Sequence, residues 1–275
     1  MQNKTLDKLI VVILDGCRFD TAIDQLGFLN HLVDYQRGKL VKVRSEMPSN
    51  SRPLYEVLMT GVPTYRTKIH SNFSVMRSQQ TSMFELVTAY GGKTGAAAYA
   101  WFSELYNQAP YNIKTDRIQN NSTKLIQHGI FYNEDTYPDS HLVADANYLI
   151  KEYTPDFMVV HSMNIDDIGH KYTAASREYQ QVVNRADMIL AEALPEWLEQ
   201  GYQVIVTADH GMDEFGLHGG SLAAHREVPC YLFSEKRNQV ITTEMNQLEL
   251  APLFCFLLGI TPAEEMNDID HIIEE

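Results

Sequence analysis

Short apolar runs alternate along this chain with longer segments in which apolar residues recur every three or four positions. The runs, rich in β-branched residues, predict buried strands at residues 9–14, 40–43, 94–99, 157–160, 204–206 and 228–233. The longer segments predict helices at residues 20–36, 53–60, 81–90, 141–152, 176–200 and 248–258. Pro195 falls inside the longest of these, where a proline is expected to kink or split a helix. The alternation predicts an α/β fold: a mostly parallel central sheet with helices on both faces.

One segment, at about residues 101–140, breaks this alternation. It is rich in Tyr, Asn, Gln and Pro, and no hydrophobic period persists through it. We expect a single domain over residues 1–275, with this segment forming a small cap insertion beside the core. Its aromatic residues, such as Trp101 and Tyr137, either pack the cap on the core or stack on a ligand.

The net charge of −14 argues against a nucleic-acid surface, because phosphate backbones are bound by clustered Lys and Arg. It leaves room for a small phosphorylated substrate, since bound cations reverse the local sign of charge. No apolar run approaches the ~18 residues of a membrane span. The first apolar run ends at Asp15 and not at a small-residue cleavage site, which indicates a strand and not a signal peptide. We therefore expect a cytoplasmic protein without a membrane segment; the oligomeric state is not specified.

Carboxylates and imidazoles follow three of the predicted strands. In open α/β sheets, ligands bind beyond the carboxyl ends of the strands, so this shared placement predicts one site. The residues concerned are Asp15, Asp166, His170, Asp209 and His210, with His218 eight positions after the last.

Three carboxylates and three imidazoles are enough to hold two divalent metal ions. Mixed Asp and His ligation suits Zn²⁺, with Mn²⁺ or Fe as alternatives, whereas Mg²⁺ and Ca²⁺ sites use fewer imidazoles. Two ions about 4 Å apart stabilise the attacking oxygen and the developing charge in displacement at phosphorus or sulfur.

Such a site needs a nucleophile, and a hydroxyl at a helix N-terminus suits an anionic substrate. Ser49 and Ser51 both precede the helix predicted at 53–60, and Arg52 is a candidate for binding an anionic oxygen. On local sequence alone, a plain helix-capping role for Ser51 is an equal alternative.

Five motifs in this order resemble the alkaline phosphatase superfamily, and within it the type I phosphodiesterase / nucleotide pyrophosphatase branch. The resemblance runs from about residue 9 to 262 and is weakest across the predicted cap. The motifs are L-D-G at Asp15, S-R-P at Ser51 with T-G following, D-D-I-G-H-K-Y at Asp166, T-A-D-H-G-M at Asp209, and H-G-G-S at His218 with V-P following.

The resemblance implies an alkaline phosphatase-like catalytic domain and assigns the residues to two metal sites. It selects Ser51 over Ser49 as the nucleophile. One site takes Asp15, Ser51, Asp209 and His210. The other takes Asp166, His170 and His218, with His225 as a competitor for the last position. We favour His218 because glycines follow it.

Two departures from the family pattern concern the substrate. Leu54 stands where phosphodiesterases often carry a phosphate-contacting Asn; Asn72 or Asn50 are the alternatives, and with Arg52 we assign Asn72 to substrate binding. Tyr55 stands where sulfatases need an arginine for maturation of the nucleophile, which counts against a sulfatase.

The resulting prediction is a two-metal phosphoric ester hydrolase of the phosphodiesterase / nucleotide pyrophosphatase type. It would act on a nucleotide or other phosphodiester through a covalent phospho-serine. A phosphomonoesterase or a phosphonate hydrolase on the same site is the nearest alternative, and a phosphotransferase differs only in its acceptor. A non-catalytic metal-binding relative belongs to another class, against which the full ligand set argues.

Overall fold

The computed structural model describes residues 6–274; residues 1–5 and 275 of the predicted domain lie outside this range. Within it, nine strands join in one sheet. They are β1 (Lys8–Leu14), β2 (Lys39–Arg44), β3 (Thr94–Tyr99), β4 (Ile118–Asn120), β5 (His128–Tyr132), β6 (Phe157–Ser162), β7 (Tyr202–Thr207), β8 (Glu227–Phe233) and β9 (Glu244–Asn246).

The same residues contain twelve α-helices and two short 3₁₀ helices. The α-helices are α1 (Phe19–Gln25), α2 (Gly27–Asp34), α3 (Ser51–Thr60), α4 (Thr64–Thr67), α5 (Met83–Ala89), α6 (Ala100–Tyr106), α7 (Ile113–Asp116), α8 (Asp139–Tyr153), α9 (Asn164–Tyr172), α10 (Arg177–Glu199), α11 (Ala223–Arg226) and α12 (Leu250–Leu258). The 3₁₀ helices are Glu235–Gln239 and Gln247–Glu249.

The strand order is β4-β5-β3-β6-β1-β7-β8-β2-β9. Strand β1 lies at the centre and pairs in parallel with β6 on one side and β7 on the other. Only β4 and β8 run against their neighbours among these strands. The predicted α/β fold with a mostly parallel central sheet is confirmed.

Both faces of the sheet are covered, which is why β1 is apolar almost throughout. On one face α8 and α10 pack together over the sheet, and α1 and α2 pack against α10. On the other face α3, α5 and α12 form a second layer, in which the ring of Phe84 lies 5.3 Å from that of Phe157. The carboxyl ends of β1, β2, β6 and β7 therefore meet at one edge, between the two helical layers.

One element differs from its sequence prediction, and the structure resolves two further features that the sequence left open. The single helix predicted at 20–36 is two helices. Asp187 on α10 accepts hydrogen bonds from two backbone N–H groups in the first turn of α2, those of Phe28 and Leu29, and this favours a new helix start there. Helix α10 is assigned as one helix through Pro195 and is not split there. Strand β8 reverses direction relative to β7.

The segment predicted as a cap, at about 101–140, contributes β4 and β5 to the same sheet, with β5 parallel to β3. Most of helix α6 and all of α7 also lie in this segment. These strands extend the edge of the sheet. Whether the segment also covers the site as a cap stays a prediction.

No helix in the described residues combines the length and the apolar character needed to cross a membrane. The cytoplasmic location stays a prediction.

Candidate functional site

The end of each central strand supplies polar side chains to one buried cluster. Asp15 directly follows β1, and Asp209 and His210 follow β7. The two strand ends are joined by the backbone N–H of Gly16, which donates to Asp209 Oδ1 over 3.3 Å. Asp15, Asp209 and His210 have no exposed surface, and the cluster therefore lies in a low-dielectric setting.

Helix α9, which follows β6, contributes Asp166 and His170. Their spacing of four residues places both on one face of the helix, with His170 Nε2 3.3 Å from Asp166 Oδ2. Asp166 is buried, whereas the side chain of His170 is 43% exposed. His170 therefore marks the side from which solvent reaches the cluster.

Backbone carbonyls orient the three imidazoles in the same way. The Nδ1 atoms of His170, His210 and His218 lie 2.8, 3.0 and 2.8 Å from the carbonyl oxygens of Gly216, Gly211 and Ser49. An Nδ1–H that donates to a carbonyl leaves Nε2 as the free lone pair, and this is how metal-binding histidines are held.

All three Nε2 atoms point at the carboxylates. His218 Nε2 lies 3.2 Å from His170 Nε2 and 3.6 Å from Asp166 Oδ1. His210 Nε2 lies 3.4 Å from both Asp15 Oδ1 and Asp209 Oδ2. Two sets of ligand atoms are close enough to share an ion: Asp166 with His170 and His218, and Asp15 with Asp166 and His210.

Three buried carboxylate oxygens in this cluster have no hydrogen-bond partner within the described residues. They belong to Asp15 (Oδ1), Asp166 (Oδ1) and Asp209 (Oδ2). Unpaired buried carboxylate oxygens cost free energy unless a cation or a proton satisfies them. The donor set thus fits divalent ions that prefer mixed nitrogen and oxygen ligands.

The pKa values of the carboxyl groups also show that their burial close together disfavours the charged forms of two of them. Burial, and then the charge of Asp166, raise the pKa of Asp209 to about 7. Burial followed by the charges of Asp209 and Asp166 raises the pKa of Asp15 well above its usual range. For Asp166, burial raises the pKa, but its hydrogen bond with His170 and the charges of the neighbouring histidines together outweigh burial, and the pKa is lowered.

The pKa values of the three histidines differ between the two buried rings and the partly exposed ring of His170. Burial lowers the pKa of His210, and it lowers that of His218 to about 4, so both are neutral at pH 7. The hydrogen bond with Asp166 raises the pKa of His170 to about 9. Neutral imidazoles are the form that binds metal, and for His170 a cation would replace the proton.

Ser51 is the first residue of α3, and its hydroxyl lies against this cluster. Ser51 Oγ is 3.1 Å from His210 Nε2. The residue is 2% exposed and makes no side-chain capping bond at its helix, whose N-cap is Asn50. Ser51 therefore lies at the helix N-terminus, where the dipole favours anions, and its role as nucleophile stays a prediction. Ser49 is engaged elsewhere, because its Oγ donates to the carbonyl of Gly220 over 2.8 Å.

The structure gives Arg52 and Asn72, both predicted to bind substrate, partners within the protein. The guanidinium of Arg52 pairs with Glu104, donates to the carbonyl of Ser74 over 2.7 Å and lies 4.8 Å from the ring of Trp101. Asn72 Oδ1 accepts the backbone N–H of Arg52 over 3.0 Å. Both residues hold the start of α3, and contact with substrate stays a prediction for each.

His225, the competitor for the last ligand position, lies outside both groups of ligand atoms. Its Nε2 is 3.1 Å from Asp213 Oδ2, and its Nδ1 accepts the backbone N–H of Gly220 over 3.1 Å. The structure therefore brings His218, and not His225, beside Asp166 and His170.

Two residues that the sequence did not assign to the site hold Asp15 in place. The hydroxyl of Tyr55 donates to Asp15 Oδ2, and His161 Nε2 lies 3.2 Å from the same oxygen. Burial lowers the pKa of His161 to about 3, so this ring is neutral. Tyr55 entered the sequence analysis only as a departure from the sulfatases, because no local pattern links it to a carboxylate 40 positions earlier.

Comparison with known proteins places this cluster in a family. Residues 9–219 match the family model described as type I phosphodiesterase / nucleotide pyrophosphatase. Two curated relatives are GPI ethanolamine phosphate transferase 3 of Eremothecium gossypii, 23% identical over 92% of this chain and 27% of its own length, and the catalytic subunit of human GPI ethanolamine phosphate transferase 3, 24% identical over 92% and 24%. The chain thus spans about a quarter of the length of these relatives.

Among solved structures, murine ectonucleotide pyrophosphatase / phosphodiesterase 5 superposes with a TM-score of 0.77 at 14% identity, covering 97% of this chain and 100% of the other. Its inactive variant, solved in complex with AMP, gives a TM-score of 0.75. These structures have the fold predicted here. Since the matched segment covers most of the chain, including the ends of β1, β6 and β7 and helix α3, this chain belongs to the type I phosphodiesterase / nucleotide pyrophosphatase family.

Proposed function

We propose that this chain is a phosphodiesterase-type hydrolase of phosphoric esters that uses Ser51 as its nucleophile and binds two divalent metal ions. The observation that carries the proposal is the position of Ser51 Oγ, 3.1 Å from His210 Nε2 and beside carboxylate oxygens that lack hydrogen-bond partners. A serine with only a capping role would not need such neighbours.

Two groups of residues would hold the ions. Asp166, His170 and His218 form one group, and Asp15, Asp209 and His210 form the other together with Ser51. Asp166 is also within reach of Asp15 and His210 in the second group, so it is the residue that can bridge the two groups. When bound, the ions would lower the pKa of the serine hydroxyl and neutralise charge on the ester. Zn²⁺ is the ion that this mixed ligand set fits best.

The chain itself supplies the nucleophile and its orientation. Ser51 Oγ forms a bond to phosphorus, the bond from phosphorus to the leaving oxygen breaks, and the serine proton passes to solvent. The N-terminus of α3 stabilises the negative charge on the ester. Water then forms a bond to phosphorus, the bond from phosphorus to Ser51 Oγ breaks, the serine regains a proton, and the product leaves as a phosphate monoester. The complex of the inactive murine neighbour with AMP supports a nucleotide-type substrate as one candidate.

Transfer to an alcohol is the second candidate. It differs only in the last step, where an alcohol takes the place of water. The curated relatives that match over 92% of this chain carry the name ethanolamine phosphate transferase, and this favours a phosphodiester donor whose phosphoryl group passes to a hydroxyl.

Turnover of chromogenic esters tests the proposal. Zn²⁺- or Mn²⁺-loaded protein should release p-nitrophenol from bis-p-nitrophenyl phosphate or a p-nitrophenyl nucleotide ester faster than from p-nitrophenyl phosphate. Ser51→Ala should lower kcat by at least about a thousandfold, because the covalent route is lost. Ser82→Ala is the matched control, since Ser82 caps α5 and lies outside the site.

Mass spectrometry of the quenched wild-type protein should show a covalent adduct on Ser51 that keeps the second ester: p-nitrophenyl phosphate from bis-p-nitrophenyl phosphate, or the nucleotide from its p-nitrophenyl ester. Added glycerol or ethanolamine separates the two candidates: a hydrolase gives the free acid product, whereas a transferase gives the alcohol ester. Full activity in Ser51→Ala would overturn the nucleophile. Faster cleavage of the monoester would overturn the diesterase assignment.

A further inference from the structure

The loop from Gly211 to Leu222 carries His218, and one carboxylate organises it. Asp213 is 7% exposed, and its Oδ1 accepts the backbone N–H groups of Phe215 and Leu217 over 2.9 and 2.8 Å. Its own N–H donates to the carbonyl of Leu217 over 2.9 Å. Asp213 thus closes the loop immediately before His218.

His225 closes the same loop on the other side of His218. The backbone N–H of Gly220 donates to His225 Nδ1, so this nitrogen is an acceptor and the ring proton lies on Nε2. That proton points at Asp213 Oδ2, 3.1 Å away. Gly220 must be a glycine for this contact, because a Cβ there would lie 2.9 Å from His225 Nδ1.

The hydrogen bonds run in one chain, from Gly220 through His225 to Asp213 and on to Leu217. Positions 217 and 220 flank His218, so the chain ties down the backbone on both sides of this ring. The loop also orients His170, whose Nδ1 lies 2.8 Å from the carbonyl of Gly216. Two of the three side chains in the Asp166 group therefore depend on the shape of this loop.

We propose that Asp213 and His225 form a positioning unit that shapes this loop for metal binding by His170 and His218. The inference rests on the proposed function in one respect, that a cation occupies the Asp166 group. His225 acts through the loop and does not bind the ion, because both of its ring nitrogens are already engaged within the protein. Removal of either member of the unit should weaken one metal site and spare the one that contains Asp15 and Asp209.

Zn²⁺ affinity of the full chain, measured by competition with a chromophoric chelator, tests this selectivity. Wild-type protein should bind two ions. His225→Leu and Asp213→Asn should each lower the affinity for one of the two ions by about 10- to 100-fold. This is the usual effect of removing a group that orients a metal ligand. The double variant should bind Zn²⁺ no more weakly than either single variant, because the two residues act as one unit.

His225→Gln distinguishes positioning from ligation. A glutamine amide can accept from Gly220 and donate to Asp213, so it should restore most of the affinity, although it is a poor Zn²⁺ ligand. His31→Leu, at an exposed position on α2, is the matched control and should bind both ions as the wild type does.

Hydrogen exchange of the metal-free protein gives a readout independent of metal. The amides of Phe215, Leu217 and Gly220 should exchange at least tenfold faster in His225→Leu than in wild type, and at wild-type rates in His31→Leu. If wild-type protein binds no Zn²⁺, the proposed function fails, while unchanged exchange in His225→Leu overturns the positioning unit. Equal loss of Zn²⁺ in His225→Gln and His225→Leu, with normal binding in Asp213→Asn, would make His225 a ligand and overturn the inference.

Discussion

Gly16 shows how closely the backbone of the turn after β1 approaches the carboxylates of the site. Its φ of +76° is a conformation that residues with a side chain rarely adopt. A Cβ at this position would lie 2.9 Å from Asp166 Cα and 3.1 Å from Asp166 Oδ1. An alanine would therefore displace a proposed metal ligand as well as strain the backbone.

Gly16→Ala should lower the free energy of unfolding and also weaken metal binding. Gly91→Ala separates the two effects. Gly91 also has a positive φ, +82°, but no atom lies within 4 Å of the position that a Cβ would take. The control should lose only the strain term, about 1–2 kcal/mol. Urea unfolding and Zn²⁺ titration measure both quantities. Equal losses of stability in the two variants, with normal metal affinity in Gly16→Ala, would contradict the close-contact argument.

At this scale, residues that directly follow strong strands were predictable, and those held by long-range contacts were not. Asp15 and Asp209 follow apolar runs whose ends are clear in the sequence. The pairing of Arg52 with Glu104 joins positions 52 apart, and no local pattern indicates it. The choice between His218 and His225 depended on the path of a loop that lacks any hydrophobic period.

At the scale of elements, α9 was missed although two predicted ligands lie on it. The apolar residues of Asn164–Tyr172, namely Ile165, Ile168 and Tyr172, do recur at helical spacing, but the segment is only nine residues long, and a pattern of two turns containing two Asp and a Gly is too short to distinguish from a loop. Strands β4 and β5 were missed because they are short and lie in a polar, aromatic segment. Tertiary pairing forms these elements, with β5 joined to the edge of the sheet beside β3.

Helix α10 runs through Pro195 without a split, although the sequence predicts that this proline kinks or splits the helix. The proline has no N–H to donate to the carbonyl of Ala191, which weakens the last turns. Packing compensates, because the buried Trp197 donates to Asn147 on α8 over 2.7 Å. Tertiary contacts thus keep the helix intact beyond a residue that disfavours it.

Pro195→Ala should therefore stabilise the protein. The side chain is exposed, so little packing is lost. The restored hydrogen bond recovers part of the ~3 kcal/mol cost of an interior proline. The larger conformational entropy of the unfolded alanine variant lowers the free energy of unfolding by up to about 1 kcal/mol. We expect a net gain of about 1–2 kcal/mol in urea unfolding. Glu192→Ala, exposed on the same helix, should stay within about 0.5 kcal/mol of wild type. A destabilised Pro195→Ala would show that the helix is built around the missing bond.

At the scale of the whole molecule, the buried carboxyl group of Glu56 links stability to pH. Glu56 has no exposed surface and lies between the hydroxyls of Ser78 and Tyr106, which donate to it. Burial raises its pKa from 4.5 to about 7. The folded state therefore binds a proton that the unfolded state has already released between these pH values. The stability contributed by this proton is complete below pH 4.5 and is lost as the pH rises through 7.

The shift corresponds to about 3 kcal/mol of unfolding free energy across that interval. Glu56→Gln keeps a neutral group that can pair with both hydroxyls, so it should gain about 2–3 kcal/mol over wild type between pH 4.5 and pH 8. Glu85→Gln, at an exposed position on α5, should show no such trend. Urea unfolding measures the free energy of unfolding of the three proteins across this pH range. In the differences between variant and wild type, the contributions of the other titrating groups cancel. Parallel curves for wild type and Glu56→Gln would mean that water or a rearranged hydroxyl solvates the carboxylate. The link between core burial and pH would then be lost.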